Sequence, residues 1–423
     1  MRNTNIYMKP IKTSFIKSLG IIFIPPLVFV LFLSLNSIDK GNKKSANQNG
    51  FIYSGTYGLF IETGNGLTFN WFTDGSDQGV YELTKANNKK IKKGLTADGK
   101  VHTVTIDYKL KEDLIFRFGG KGETIHEIKL KPTAKLQKSF YKNVDSLYIM
   151  GDVHGRYEQL INLLQNSNII DKDLNWIAGK AHLIFLGDLF DRGPDVTKVL
   201  WFIYSLEEKA AASRGKVHLV LGNHEIMTMT KDLRYVNAKE LAIAKAFDKT
   251  YDELYHPTTS LLGEWLRSKP SVLKIDHALF AHGGVLDLGT SSLDIFNEQA
   301  YTYMKDSLFL KIMSNDSTEV SHDYEKWERM RYFFYAEVSP YWYRGYVNSD
   351  TLDVQLDAML KKFKSKVHIV AHTPLPTITQ KYDGKLLTTD LEDAATQLLL
   401  LVKKKKKYTR YKIDSSGDIV ELN

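Results

Sequence analysis

Five short apolar runs, each closing on a residue able to bind a metal, set the tightest limit on how this chain can fold. Leu147–Met150 is followed by Gly151-Asp152-Val153-His154-Gly155, and Ala181–Leu186 by Gly187-Asp188-Leu-Phe-Asp191-Arg192-Gly193. Lys216–Leu221 leads into Gly222-Asn223-His224-Glu225, Ala278–Ala281 into His282-Gly283-Gly284, and Val367–Ala371 into His372-Thr373-Pro374. A short apolar run bounded by glycine reads as a strand buried on both faces. One such run ending in Gly-Asp is turn chemistry; five, ending in Asp, Asn or His, are not. In open α/β sheets ligands gather beyond the carboxyl ends of the strands, so these side chains are expected to converge. Oxygen and imidazole ligands without sulfur favour Mn, Fe or Zn over Ca or Mg. The chain has no cysteine, which excludes disulfides, thiolate nucleophiles and Cys-based metal sites.

The same series in order, Gly-Asp-Val-His-Gly, Gly-Asp-Leu-Phe-Asp-Arg-Gly, Gly-Asn-His-Glu, His-Gly-Gly and Ala-His-Thr, resembles the metallophosphoesterase (calcineurin-like) superfamily. The match runs from about Leu147 to about Val402 and lies on the phosphoprotein-phosphatase branch. Asp232-Leu-Arg-Tyr-Val236, Leu262-Gly-Glu-Trp-Leu-Arg267 and Ser339-Pro-Tyr-Trp-Tyr-Arg-Gly345 are similar to bacterial Shewanella-like protein phosphatases. His-Gly-Gly continues Val285-Leu286-Asp287, where eukaryotic Ser/Thr phosphatases have Leu-Ser-Pro, and no equivalent of their SAPNY loop follows. Their protein-substrate grooves and regulatory subunits are therefore not implied.

The resemblance implies a dinuclear centre in which Asp152 and His154 hold the first metal and Asp188 bridges. Asn223, His282 and His372 would hold the second. Hydroxide held between the ions would attack in line, with no phosphoenzyme. By analogy His224 protonates the leaving oxygen and Asp191 orients it. Arg192 and Arg344 are the candidate phosphate clamps, because guanidinium pairs two phosphate oxygens in a fixed fork. Arg344 rests on the Ser-Pro-Tyr-Trp-Tyr-Arg-Gly resemblance. Phosphodiesterase-type relatives usually end in Gly-His-x-His, whereas here His372 is followed by Thr373-Pro374, which favours monoester hydrolysis. Asp390 falls at a strand end near the site without an assigned role, and Arg156 and Arg234 read as surface or supporting residues.

The rest of the chain is arranged around this core. Arg2, Lys9, Lys12 and Lys17 precede about twenty uncharged residues, Ser18 to Ile38, long enough to cross a bilayer. Residues 1–50 are therefore expected to be a membrane anchor or signal segment, placing the protein outside the cytoplasm. Residues 51–131 predict a small all-β sandwich, with strands expected at Phe51–Glu62, Gly66–Phe72, Val101–Tyr108, Asp113–Phe118 and Thr124–Leu130 between turn residues. Its aromatics, Tyr53, Tyr57, Phe60, Trp71 and Phe72, are expected in its core. Residues 145–423 are expected to form the catalytic domain, a four-layer αββα sandwich. It is interrupted by helical insertions at Lys239–Leu266, where Trp265 is expected on the sheet, and at Asp287–Tyr346. Leu386–Asp390, Thr396–Val402 and Tyr408–Ile413 read as closing antiparallel strands of the second sheet.

The chain carries a net charge of +8, which suits phosphorylated substrates or an anionic membrane; no nucleic-acid module accompanies it. The expected substrate is a phosphorylated protein or a small phosphomonoester. Two alternatives stand beside this reading. Diadenosine tetraphosphatases share Gly-Asp-x-His-Gly, Gly-Asn-His-Glu and His-Gly-Gly, so a nucleotide pyrophosphatase is one. A catalytically silent, metal-stabilised envelope scaffold is the other.

Overall fold

The computed structural model describes residues 58–422, apart from 76, 133–134, 314–322 and 406. The segment expected at residues 1–50 lies outside the described residues, as do Tyr53 and Tyr57. Among the described residues no helix is long and apolar enough to cross a membrane.

Seven strands come first: β1 (Leu59–Glu62), β2 (Leu67–Phe72), β3 (Gln78–Lys85), β4 (Lys90–Asp98), β5 (Val101–Ile106), β6 (Leu114–Gly120) and β7 (His126–Leu130). They form antiparallel sheets of order β1-β2-β5 and β4-β3-β6-β7. Phe60, Trp71 and Phe72 are buried. Phe69 stacks on Phe116 at 3.8 Å, and the Trp71 indole donates to Gly119 O at 3.2 Å. Sequence reading missed β3 and β4. The second is a lysine-rich edge strand whose side chains face water, which blunts an open edge and erases the apolar alternation.

The chain then runs β8 (Phe140–Tyr141), β9 (Ser146–Met150), α1 (Tyr157–Asn166), β10 (His182–Phe185), α2 (Val196–Ala212), β11 (Lys216–Leu219) and α3 (Asn223–Met229). Next come α4 (Ala238–Ala246), α5 (Leu261–Arg267), β12 (Val272–Ile275), β13 (Ala278–Ala281), α6 (Leu293–Tyr303), α7 (Tyr324–Tyr335), α8 (Gly345–Asn348) and α9 (Asp353–Lys362). β14 (Val367–Val370), β15 (Thr379–Lys381), β16 (Leu386–Thr388), β17 (Gln397–Lys404), β18 (Lys407–Asp414) and β19 (Ile419–Glu421) complete it.

These strands build two six-stranded sheets, β11-β10-β9-β17-β18-β19 and β15-β16-β14-β13-β12-β8. Alternation along each strand sorts side chains between layers. Leu147, Ile149, Ile184, Phe280 and Ile369 meet between the sheets. Met150, Leu183 and Phe185 face α1 and α2, while Leu279 and Val370 face Leu356, Met359 and Leu360 of α9.

The closing strands depart from expectation. β16 pairs parallel to β14, whereas β17 crosses to the first sheet and lies antiparallel to β9. Its Leu398-Leu-Leu-Leu401 run is buried on both faces, which suits a central strand and not an edge. Trp265 packs on α2 instead of the sheet, 5.8 Å from Tyr204 and donating to Glu207 at 3.1 Å. That helix is buried beyond a single stripe, and β1 lies against it. Trp201 donates to Leu59 O at 2.7 Å, and Phe72 stacks on Phe247 at 4.4 Å, just beyond α4. One apolar cluster runs through both regions.

Candidate active site

Because β9, β10 and β11 are parallel neighbours, and β13 and β14 likewise, their carboxyl ends share an edge. Asp152, His154, Asp188, Asn223, His282 and His372 all follow those ends, and each is 4% exposed or less. Asp152 Oδ2 lies 3.5 Å from His154 Nε2. His282 Nε2 lies 3.2 Å from Asp188 Oδ2, 2.9 Å from Asn223 Oδ1 and 3.1 Å from His372 Nδ1. The potential ligand atoms of His154, Asp188 and His224 lie within 4.8 Å of one another, as do those of Asp188, His282 and His372. Asp188 belongs to both groups. Sequence reading set His224 apart from the ligands, yet its Nε2 stands 3.7 Å from Asp188 Oδ2.

The backbone is bent hard to achieve this. His154, Asp188, Asp191, Arg192 and His372 have φ of +47°, +50°, +68°, +63° and +67°, a region uncommon for side chains other than glycine. Gly187 permits one of these turns: at φ +92° a Cβ there would sit 2.4 Å from Gly222 N. The buried Glu225 carboxylate staples the turns together. It accepts from Asp188 N at 2.9 Å, Leu189 N at 2.8 Å and Gly222 N at 2.7 Å. Asp188 Oδ1 in turn accepts from His224 N at 3.0 Å.

Hydrogen bonds to carbonyls settle which imidazole nitrogens carry protons. His154 Nδ1 donates to Phe190 O and His282 Nδ1 to Leu186 O, both at 2.7 Å. This leaves His154 Nε2 a buried nitrogen with no hydrogen-bond partner, and His372 Nε2 is another. Unpartnered imidazole nitrogens among buried carboxylates are what transition-metal cations require, so the residues fit the expected ions.

The buried carboxylates and imidazoles shift one another's pKa values. Burial pushes His282 down, but Asp188 holds it up at about 10. Burial and then the neighbouring Asp152 push Asp390 up to about 9. Burial and His282 take His372 down to about 2. His224 Nδ1 is 2.5 Å from Asp191 Oδ2; burial lowers its pKa, yet Asp188 and Asp191 outweigh this and raise it.

The candidate clamps stand at the rim. Arg192 is exposed. Arg344 is half-buried and donates to His372 O and, at 3.4 Å, to Thr373 Oγ1. Arg234 is forked onto Asp232 at 2.7 Å through both nitrogens and is mostly exposed. Two residues went unassigned from sequence, Glu225 and Asp390. The strand-end rule that picked out the candidate ligands also marks Asp390, which follows β16 and is 4% exposed. Glu225 follows directly on Asn223-His224 and has no signal of its own.

Comparison with known proteins agrees with this geometry. The model of the calcineurin-like phosphoesterase family matches residues 146–376. Shewanella-like protein phosphatase 1 of Plasmodium berghei is 29% identical over 254 residues, covering 57% of this chain and 67% of that protein. A symmetrical bis(5'-nucleosyl)-tetraphosphatase of Wigglesworthia glossinidia brevipalpis is 33% identical over 186 residues, 41% of this chain and 60% of that protein. The crystal structure of a cold-active protein-tyrosine phosphatase from a psychrophilic Shewanella species superposes with a TM-score of 0.65 at 27% identity. It covers 87% of this chain and 98% of its own, so the likeness extends beyond the family segment. With the phosphatases among its relatives pointing the same way, the chain is a phosphatase-type hydrolase and belongs to the calcineurin-like phosphoesterase family.

Proposed function

We propose that this protein hydrolyses phosphomonoesters, phosphotyrosine or phosphoserine/threonine in proteins above all, at a dinuclear metal centre. The observation that carries the reading is that Asp188 is shared by two groups of buried ligand atoms. Asp152, His154 and Asp188 would hold one ion, and Asp188, Asn223, His282 and His372 the other. Bound there, Mn, Fe or Zn would neutralise phosphoryl charge and supply an activated water near neutral pH.

The chain's own residues do the remainder. Arg192 and Arg344 grip phosphate oxygens and orient the phosphorus for in-line displacement. As the bond to the leaving oxygen breaks, His224 Nε2 gives that oxygen its proton, and Asp191 holds the ring in place through Nδ1. Asp188→Asn should abolish hydrolysis of an aryl phosphate and lower metal content. His224→Ala should slow turnover about 10²-fold or more with both metals retained. Full turnover by Asp188→Asn would sink the assignment.

A second reading follows from the identity to the tetraphosphatase: cleavage within a dinucleoside polyphosphate. Nucleoside diphosphate among the products would favour it; free phosphate from phosphopeptides would favour the first. The basic and apolar stretch at residues 1–50 supports a place outside the cytoplasm, tethered to or released from a membrane. Recovery of the protein in the cytosolic fraction would rule this out.

A further inference from the structure

Resting on the phosphomonoesterase reading, we propose that Tyr235 and Trp342 form an aromatic clamp selecting aryl phosphomonoesters, phosphotyrosine in an exposed peptide segment, over alkyl ones. Each ring packs beside one of the site's histidines, and a chain of close contacts links the two. Tyr235 lies 5.6 Å from the His224 ring, and Trp342 stands perpendicular to His372 at 5.8 Å. Between them, Asp188 Oδ2 is 3.7 Å from His224 Nε2 and 3.2 Å from His282 Nε2, whose ring is 4.8 Å from that of His372.

Each aromatic residue sits close to one of the candidate phosphate clamps along the backbone. Tyr235 O accepts from Arg192 N at 2.9 Å, and Trp342 precedes Arg344 by two residues. Each aromatic residue is therefore a near neighbour, in the fold or in the chain, of a residue expected to grip the phosphate.

Both rings have packing partners, and both leave apolar area in water. Tyr235 is 49% exposed beside a His224 that is 4% exposed. Arg234 lies over its ring at 5.5 Å while forked onto Asp232. The Trp342 indole donates to Phe334 O at 2.9 Å and packs on Tyr335 at 5.9 Å. Tyr335 in turn bonds Thr230 at 2.5 Å, pinning α7 to the end of α3. A part-exposed aromatic contributes little to a core, but with only two side-chain torsions it binds another ring at low cost in conformational entropy. In an aryl ester the ring begins at the oxygen that His224 protonates, within stacking range of a neighbour of His224. A serine ester places only a methylene there.

The test uses two peptides of identical sequence, one carrying phosphotyrosine and one phosphoserine, with full-length metal-reconstituted protein. The quantity read is the ratio of their kcat/KM values. Wild type should favour phosphotyrosine. Tyr235→Ala and Trp342→Ala should each cut the ratio about fivefold or more, the size of one aromatic pair, and Tyr235→Phe and Trp342→Phe should restore most of it. An unchanged ratio, with both substrates losing equally, would reduce the rings to props and overturn the clamp. So would a wild-type preference for phosphoserine. If wild type cleaves neither peptide, the phosphomonoesterase reading fails instead. Calorimetric binding of the two phosphonate analogues then decides the clamp: aryl preference lost in Tyr235→Ala supports it, and no preference overturns it.

Discussion

Glu225 shows how much one unassigned side chain can control. Its two oxygens take three buried backbone N–H groups from the turns that carry Asp188 and Asn223. Glu225→Gln must present an amide N–H₂ to at least one of those donors. An unsatisfied buried donor costs about 1–3 kcal/mol, so the variant should lose that much stability in urea denaturation and bind metal more weakly. Wild-type stability together with wild-type metal affinity would show that the carboxylate holds nothing in place. Sequence could point to candidate ligands because each ends an apolar run; Glu225 faces backbone, and backbone partners leave no trace in a motif. Asp390 had the right signal, but only the structure sets it beside Asp152 and below Arg344.

Among the elements, the seam between the first seven strands and the helices is the one that sequence did not reveal. Phe247 follows α4 and lies 4.4 Å from Phe72 and 6.0 Å from Phe60. Lys249 pairs with Glu62 at 2.8 Å close by. Removing a buried phenylalanine usually costs about 3–5 kcal/mol, and Phe247→Ala should lose about 3 kcal/mol. Fluorescence of Trp71 and Trp201 should then shift together along the denaturation curve. If Trp71 kept its wild-type midpoint while Trp201 moved, the two regions would unfold separately. β9, β10, β11, β13 and β14 were readable because their runs are apolar and end in punctuation, whereas α1 and α2 drew no reading. β4 was not readable, since an edge strand made of Lys-Ile-Lys-Lys looks like a loop. β17 was recognisable as a strand, but its Leu-rich run could not say which sheet it would enter.

For the whole molecule, the convergence of Asp152, Asp188, Asp191, Glu225 and Asp390 within one buried region is a standing electrostatic load. Cations that bind only the folded state stabilise it by RT ln(1 + [M]/Kd), about 2.7 kcal/mol at a hundredfold excess over Kd. Dialysis against a chelator should therefore lower Tm by several degrees, and Mn or Zn should restore it. A Tm indifferent to both would argue against cations at the site. The order in which the chain is made adds a further constraint. β9 carries Asp152 and His154 at its end, yet its partner on one side, β17, is about 250 residues downstream. At ordinary translation rates of about 5–20 residues per second, that is a wait of roughly 12–50 s. Throughout it, one edge of the strand leading into the candidate site stays open on the nascent chain, free to pair with other strands until β17 arrives.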